Sequence, residues 1–136
     1  MITLKDAITS SGSYPDRETH PELTPDVISN LEVLLIHVNA LLDGLKISKV
    51  RISSGFRPSQ VNAATKGAAK KSNHMLGNAI DIIDDKQQSL ANKLTPEILA
   101  KYNLYMEDKS ATIGKVTNWV HLQTVAPKSK KRIFLP

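Results

Sequence analysis

The chain has no cysteine, which removes disulfides, thiolate nucleophiles and cysteine-based zinc sites together. Any metal must be held by histidine, aspartate or glutamate, and with four histidines in 136 residues the choice is short. Aromatic residues make up 4% of the sequence, too few for the stacking platforms on which single-stranded nucleic acid lies. No helix-turn-helix or RNA-binding signature is present either, so no nucleic-acid partner is expected. No apolar run approaches the roughly 18 residues that a membrane span needs. The opening stretch MITLKDAITSSGSYPDRE has neither a basic n-region nor an apolar h-region. We therefore expect no signal peptide and no membrane span, with synthesis in the cytoplasm.

What is present is enough for one compact domain. A hydrophobic fraction of 40% over 136 residues supports a single core spanning 1–136, and a monomer is expected. The net charge of +5 suits an anionic partner, such as a cell wall carrying carboxylates and phosphates. The densest basic run, Lys128-Ser129-Lys130-Lys131-Arg132, is taken as a solvated tail.

The strongest element is a helix from about Thr24 to Leu42. Thr24 is a good N-cap, Pro25 fits the first helical position and Asp26 favours the positive end of the dipole. Val27, Ile28, Leu31, Leu34, Leu35, Val38, Leu41 and Leu42 recur at helical spacing. Gly44 is expected as a left-handed cap just past the end. Strands are expected over 49–54, 78–83, 103–107 and 119–124. Helical segments are expected over about 59–69, broken near Gly67, and over 88–102, broken at Thr95-Pro96. The sum is an α+β domain with helices packed on a small, mainly antiparallel sheet.

Two residues stand out against this pattern. Asp81 lies between Ile80 and Ile82 in an otherwise apolar strand, where a carboxylate costs several kcal/mol unless it is paired or ligates a metal. His121 lies in the apolar strand Trp119-Val120-His121-Leu122. Together with His74, in a loop before Gly77, they make two imidazoles and one carboxylate. That set holds catalytic zinc with a fourth position left open. Taken singly, each residue also has a plain reading: a core histidine with its hydrogen bonds met, or an aspartate at a sheet edge or cap.

Ser72-x-His74-x-x-Gly77-x-Ala79-x-Asp81, followed by Trp119-x-His121 and preceded by Ser54-Gly55-Phe56-Arg57, resembles the signature of a zinc peptidase superfamily. That superfamily holds D-alanyl-D-alanine carboxypeptidases, L-alanyl-D-glutamate endolysins and the Hedgehog domain. The motifs cover about residues 50–124. Tyr14 to Arg17 and Tyr105-Met106-Glu107 are further similar to segments of short phage-encoded peptidases. The resemblance implies one zinc ion on His74, Asp81 and His121, and peptidoglycan stem peptides as the substrate. It places Arg57 at a substrate carboxylate or oxyanion, and Ser72 and Trp119 toward substrate. Ser72 equally fits a support for His74, and Arg57 a structural ion pair. A phage enzyme of lysis or cell penetration, acting on the wall, is the implied setting.

A peptidase of this kind also needs a group that takes and returns a proton. Many relatives carry an acid three residues before the last histidine; here that residue is Asn118, which accepts no proton. Glu107, at the end of a strand, is the expected substitute. Its neighbour Asp108 falls on the opposite face by strand alternation. Without such an acid the chain would be a zinc-stabilised module that binds the wall and does not cut it. His37, in the long helix, and His20, before Pro21, are not needed by the chemistry.

Overall fold

The computed structural model describes residues 1–9 and 17–136. Among these residues, four α-helices run in chain order as α1 (Leu4–Thr9), α2 (Pro25–Gly44), α3 (Ser59–Ala64) and α4 (Pro96–Lys101). Five strands, β1 (Ile52–Ser54), β2 (Ala79–Asp84), β3 (Tyr105–Glu107), β4 (Asn118–Gln123) and β5 (Ile133–Phe134), form one sheet in the order β1-β2-β4-β3-β5. Every pairing is antiparallel except β3 with β5. The architecture is α+β, as the sequence pattern implies.

The long helix forms for the reasons its sequence displays. Thr24 Oγ1 accepts from Val27 N at 3.3 Å, and Pro25 occupies the first turn. Val27, Leu31, Leu34, Leu35, Val38, Leu41 and Leu42 are all buried, each contributing about 1.5–3 kcal/mol relative to exposure. At 20 residues this helix is long and apolar enough to cross a bilayer, contrary to the expectation that no run approaches that length. Its buried stripe in the core accounts for that character, although Val33 and Ile36 face outward.

Gly44 does not cap this helix. It is the last helical residue, and the left-handed residue is Lys46, at φ 59°. A Cβ at position 44 would lie 1.9 Å from Tyr102 Oη, so a larger residue there requires the Tyr102 side chain to shift.

Other boundaries shift for local reasons. β1 is shorter than 49–54, covering Ile52–Ser54, and its pairing with β2 is irregular within that span. The helix expected over 59–69 stops at Ala64. The 88–102 segment divides as expected: a single 3-10 turn, Ala91–Lys93, precedes α4, which Thr95 caps through Ile98 N at 3.3 Å. The basic run does not end in a solvated tail. Lys128, Lys130 and Lys131 are exposed, but Arg132 and Phe134 enter the sheet edge. Met106 N donates to Arg132 O and Asp108 N to Phe134 O, both at 2.7 Å. The Arg132 guanidinium sits 4.3 Å from the Tyr105 ring centroid and donates to Leu104 O at 3.1 Å.

Alternation on β2 and β4 divides the sheet into two faces. Ile80, Ile82, Val120 and Leu122 point inward onto a core that includes Leu31, Leu34 and Leu41 of α2. Asp81, His121 and Gln123 point the other way and are nonetheless buried; His74 and Arg57, from the chain between β1 and β2, lie against Asp81, and Phe134 of β5 lies beside His121.

Candidate metal centre

Two of the three expected ligands come from one strand pair. Asp81 of β2 and His121 of β4 are direct Cα partners, so their side chains leave the sheet side by side. His74 arrives from a 3-10 turn, Asn73–Leu76. Ser72 starts that turn, its Oγ accepting from His74 N at 3.2 Å. Gly77 ends it at φ 75°, where a Cβ would lie 2.5 Å from Val27 O. Asn30 of α2 pins the same turn by donating to Leu76 O at 2.9 Å. The long helix thus carries the His74 turn, and the sheet carries the other two groups.

The three side chains converge. Asp81 Oδ1 lies 2.8 Å from His121 Nδ1 and 3.3 Å from His74 Nε2. All three ligand atoms fall within 4.8 Å of one another. His74 Nδ1 is 2.9 Å from Gly55 O, and a carbonyl only accepts. That nitrogen therefore carries a hydrogen, and neutral His74 turns the lone pair of Nε2 to the centre. The set of buried imidazole and carboxylate donors fits a divalent ion such as zinc.

The electrostatics agree. Burial works against the charge on Asp81, yet the imidazoles of His74 and His121 outweigh it and hold the carboxyl well below the usual range. Burial depresses His74. Burial also opposes charge on His121, but its bond to Asp81 wins and raises it. At 2.8 Å a hydrogen lies between His121 Nδ1 and Asp81 Oδ1, and a metal ion held by these residues would take its place.

Arg57 is buried beside this cluster, 3.6 Å from Asp81 Oδ2 through Nη2. Its Nε donates to Ser54 Oγ and its Nη1 to Asn62 Oδ1, both at 3.3 Å. The guanidinium thus grips the outer oxygen of Asp81. Ser72 spends its hydroxyl on the His74 turn. Trp119 is half-buried, on the same face of β4 as His121 and paired with Ile83.

Glu107 ends β3, which pairs with β4 through Met106 and Leu122. Continued by one residue, this register sets Glu107 beside His121. It is half-buried and accepts no hydrogen bond among the described residues. Burial pushes its carboxyl above the ordinary glutamate range, with His121 pulling it down and Asp81 pushing it up. Asp108 differs: its Oδ1 caps the next turn through Ser110 N at 2.9 Å, and those bonds lower its pKa. Asn118 is buried, donating to Asp85 O at 3.1 Å and accepting from Gly114 N at 3.2 Å. An odd offset from His121 puts it on the other face of β4.

The remaining expectations lie away from the cluster. His20 Nε2 faces Gln60 Oε1 at 3.1 Å and its Nδ1 accepts from Glu22 N. His37 is half-buried on α2. Tyr14, Pro15 and Asp16 lie outside the described residues, whereas Arg17 is buried and donates to Phe56 O at 2.9 Å. Three contributors were not expected from the sequence: the carbonyl of Gly55, Asn62 and Gln123. Gln123 carried a usable signal, a second polar residue two positions from His121 on the same face.

No curated protein matched the chain. The family model described as Peptidase M15 matches residues 16–123, from the 3-10 turn at Arg17 to the end of β4. The match covers most of the chain, which belongs to that family and is a zinc-dependent peptidase.

Proposed function

We propose that this M15 peptidase hydrolyses peptide bonds in the stem peptides of bacterial peptidoglycan, as a D-Ala-D-Ala carboxypeptidase or an L-Ala-D-Glu endopeptidase. The observation that carries the reading is a buried His74–Asp81–His121 cluster with the Glu107 carboxylate beside it, unbonded among the described residues. Zinc, when bound, supplies a Lewis acid that polarises the scissile carbonyl and lowers the pKa of a water.

The residues of the chain do the rest. Glu107 takes the proton of the attacking water as the new C–O bond forms. It returns that proton to the departing amine nitrogen as the C–N bond breaks. A carboxyl whose pKa burial has raised suits both transfers near neutral pH. Arg57 holds Asp81 in place, and its remaining N–H groups offer positive charge to a substrate carboxylate or to the developing oxyanion. Ser72 fixes the His74 turn, and Trp119 with Ile83 gives substrate an apolar wall. The net charge of +5 favours approach to an anionic wall. We place the protein as a phage-type lysis or penetration enzyme, or as a cytoplasmic product that reaches the wall by another route.

A second reading is a zinc-stabilised wall-binding module without catalysis, favoured by Asn118 in place of an acid. Purified protein incubated with muropeptides separates the two by mass spectrometry. New termini that disappear on chelation and in Glu107→Gln support the peptidase. Full zinc with no new termini in the wild type supports the module.

A further inference from the structure

We infer that Gln123 is a positioning residue that decides which nitrogen of His121 is offered to the metal; this rests on the zinc site proposed above. Two residues along β4 from His121, Gln123 shares its face of the sheet and is 4% exposed. Its Oε1 lies 2.9 Å from His121 Nε2, and its Nε2 donates to Val125 O at 2.6 Å.

The orientation of the amide follows from its partners. An amide's two ends have nearly the same shape, and only hydrogen bonding tells them apart. Val125 O is a carbonyl and only accepts, so the NH2 end must face it. The oxygen end is then left facing His121. That oxygen also only accepts, so His121 Nε2 must carry a hydrogen. In the neutral ring the lone pair is therefore on Nδ1, the nitrogen aimed at Asp81 Oδ1 and the cluster. One backbone carbonyl, acting through one side chain, sets the tautomer of a metal ligand.

The two histidines are held by the same logic with different materials. For His74 the acceptor is Gly55 O itself, which no side-chain substitution removes. For His121 the acceptor is a side chain, so this half of the arrangement can be edited. Gln123→Met keeps the length and burial of the side chain but removes both polar ends. Gln123→Glu keeps an acceptor for Nε2–H.

The test measures zinc affinity by competition with a chromogenic chelator, alongside thermal melts of the metal-free proteins to establish folding. Gln123→Met should bind zinc about 10–100-fold more weakly than wild type, and Gln123→Glu within about threefold of it. Nitrogen-15 NMR of histidine-labelled, zinc-loaded wild type should show His121 ligating through Nδ1 with its proton on Nε2. That readout is unaffected by a merely packing role and stands even where Gln123→Met does not fold. Ligation through Nε2, or a folded Gln123→Met with wild-type affinity, overturns the role of Gln123 alone. Wild type that takes up no zinc overturns the site reading with it.

Discussion

The two faces of the β2–β4 pair are one residue apart in sequence and opposite in physics. The inner face, with Ile80, Ile82, Val120 and Leu122, is apolar, and each residue is at most 1% exposed. The outer face sets Asp81, His121 and Gln123 side by side, nearly as buried but polar. Burial on the first face stabilises directly through the apolar area removed from water. On the second it costs free energy unless every group finds a partner. Gln123 Oε1 and Gly55 O, which accept from the two imidazoles, and the Arg57 ion pair with Asp81 supply those partners. A fold can thus carry its stability and its chemistry on the same two strands, provided the polar face is fully paired.

The contrast can be broken from either side, and the largest effect is expected on the polar face. Asp81→Ala removes the group common to both imidazoles and to Arg57. Metal analysis should find stoichiometric zinc lost, and the peptide-cleavage assay no activity. Equal zinc in variant and wild type would show the site to be misassigned. Next, Glu107→Gln leaves the ligands untouched; kcat should fall by about 10²–10⁴-fold while zinc content stays constant.

On the inner face, Leu122→Ala should cost about 2–5 kcal/mol in denaturant unfolding of the metal-free protein. The folded fraction should still bind zinc, because the cavity opens away from the cluster. Zinc affinity lost in step with stability would show that the two faces are not separable.

The smallest effect tests the environment of Glu107. A buried carboxyl whose pKa is raised by folding contributes stability in its protonated form, below the ordinary value of 4.5. That contribution is lost as pH rises through the higher folded value. Metal-free Glu107→Gln should therefore melt about 1–3 °C above wild type at pH 7, with the difference vanishing in acid. A variant that melts lower at pH 7 would mean that Glu107 is stabilised as a carboxylate.

How much of this was legible in the sequence divides along the same line. α2 and the inner face declare themselves by period, because repeated burial leaves a repeated pattern in Val27 to Leu42 and in Ile80 and Ile82. Asp81 was legible as the break in such a pattern, and His121 likewise. The β5 edge was not: two residues, Ile133 and Phe134, are too few to alternate, and the lysines before them suggest a tail. Gly55 was equally opaque. Its site role belongs to a backbone carbonyl, and a Cβ there would lie 2.0 Å from Ala7 O, a contact across most of the N-terminal half. Asn118 could be seen not to be a base, but not that it ties the end of β4 to Asp85 and Gly114.

The central claim is that the His74–Asp81–His121 cluster serves peptide hydrolysis with Glu107 as the proton carrier. It is tested most directly by following muropeptide products of zinc-loaded wild type and zinc-loaded Glu107→Gln by mass spectrometry. The expected result is new peptide termini with the wild type and essentially none with the variant, at equal zinc content. Cleavage by Glu107→Gln at the wild-type rate would contradict it.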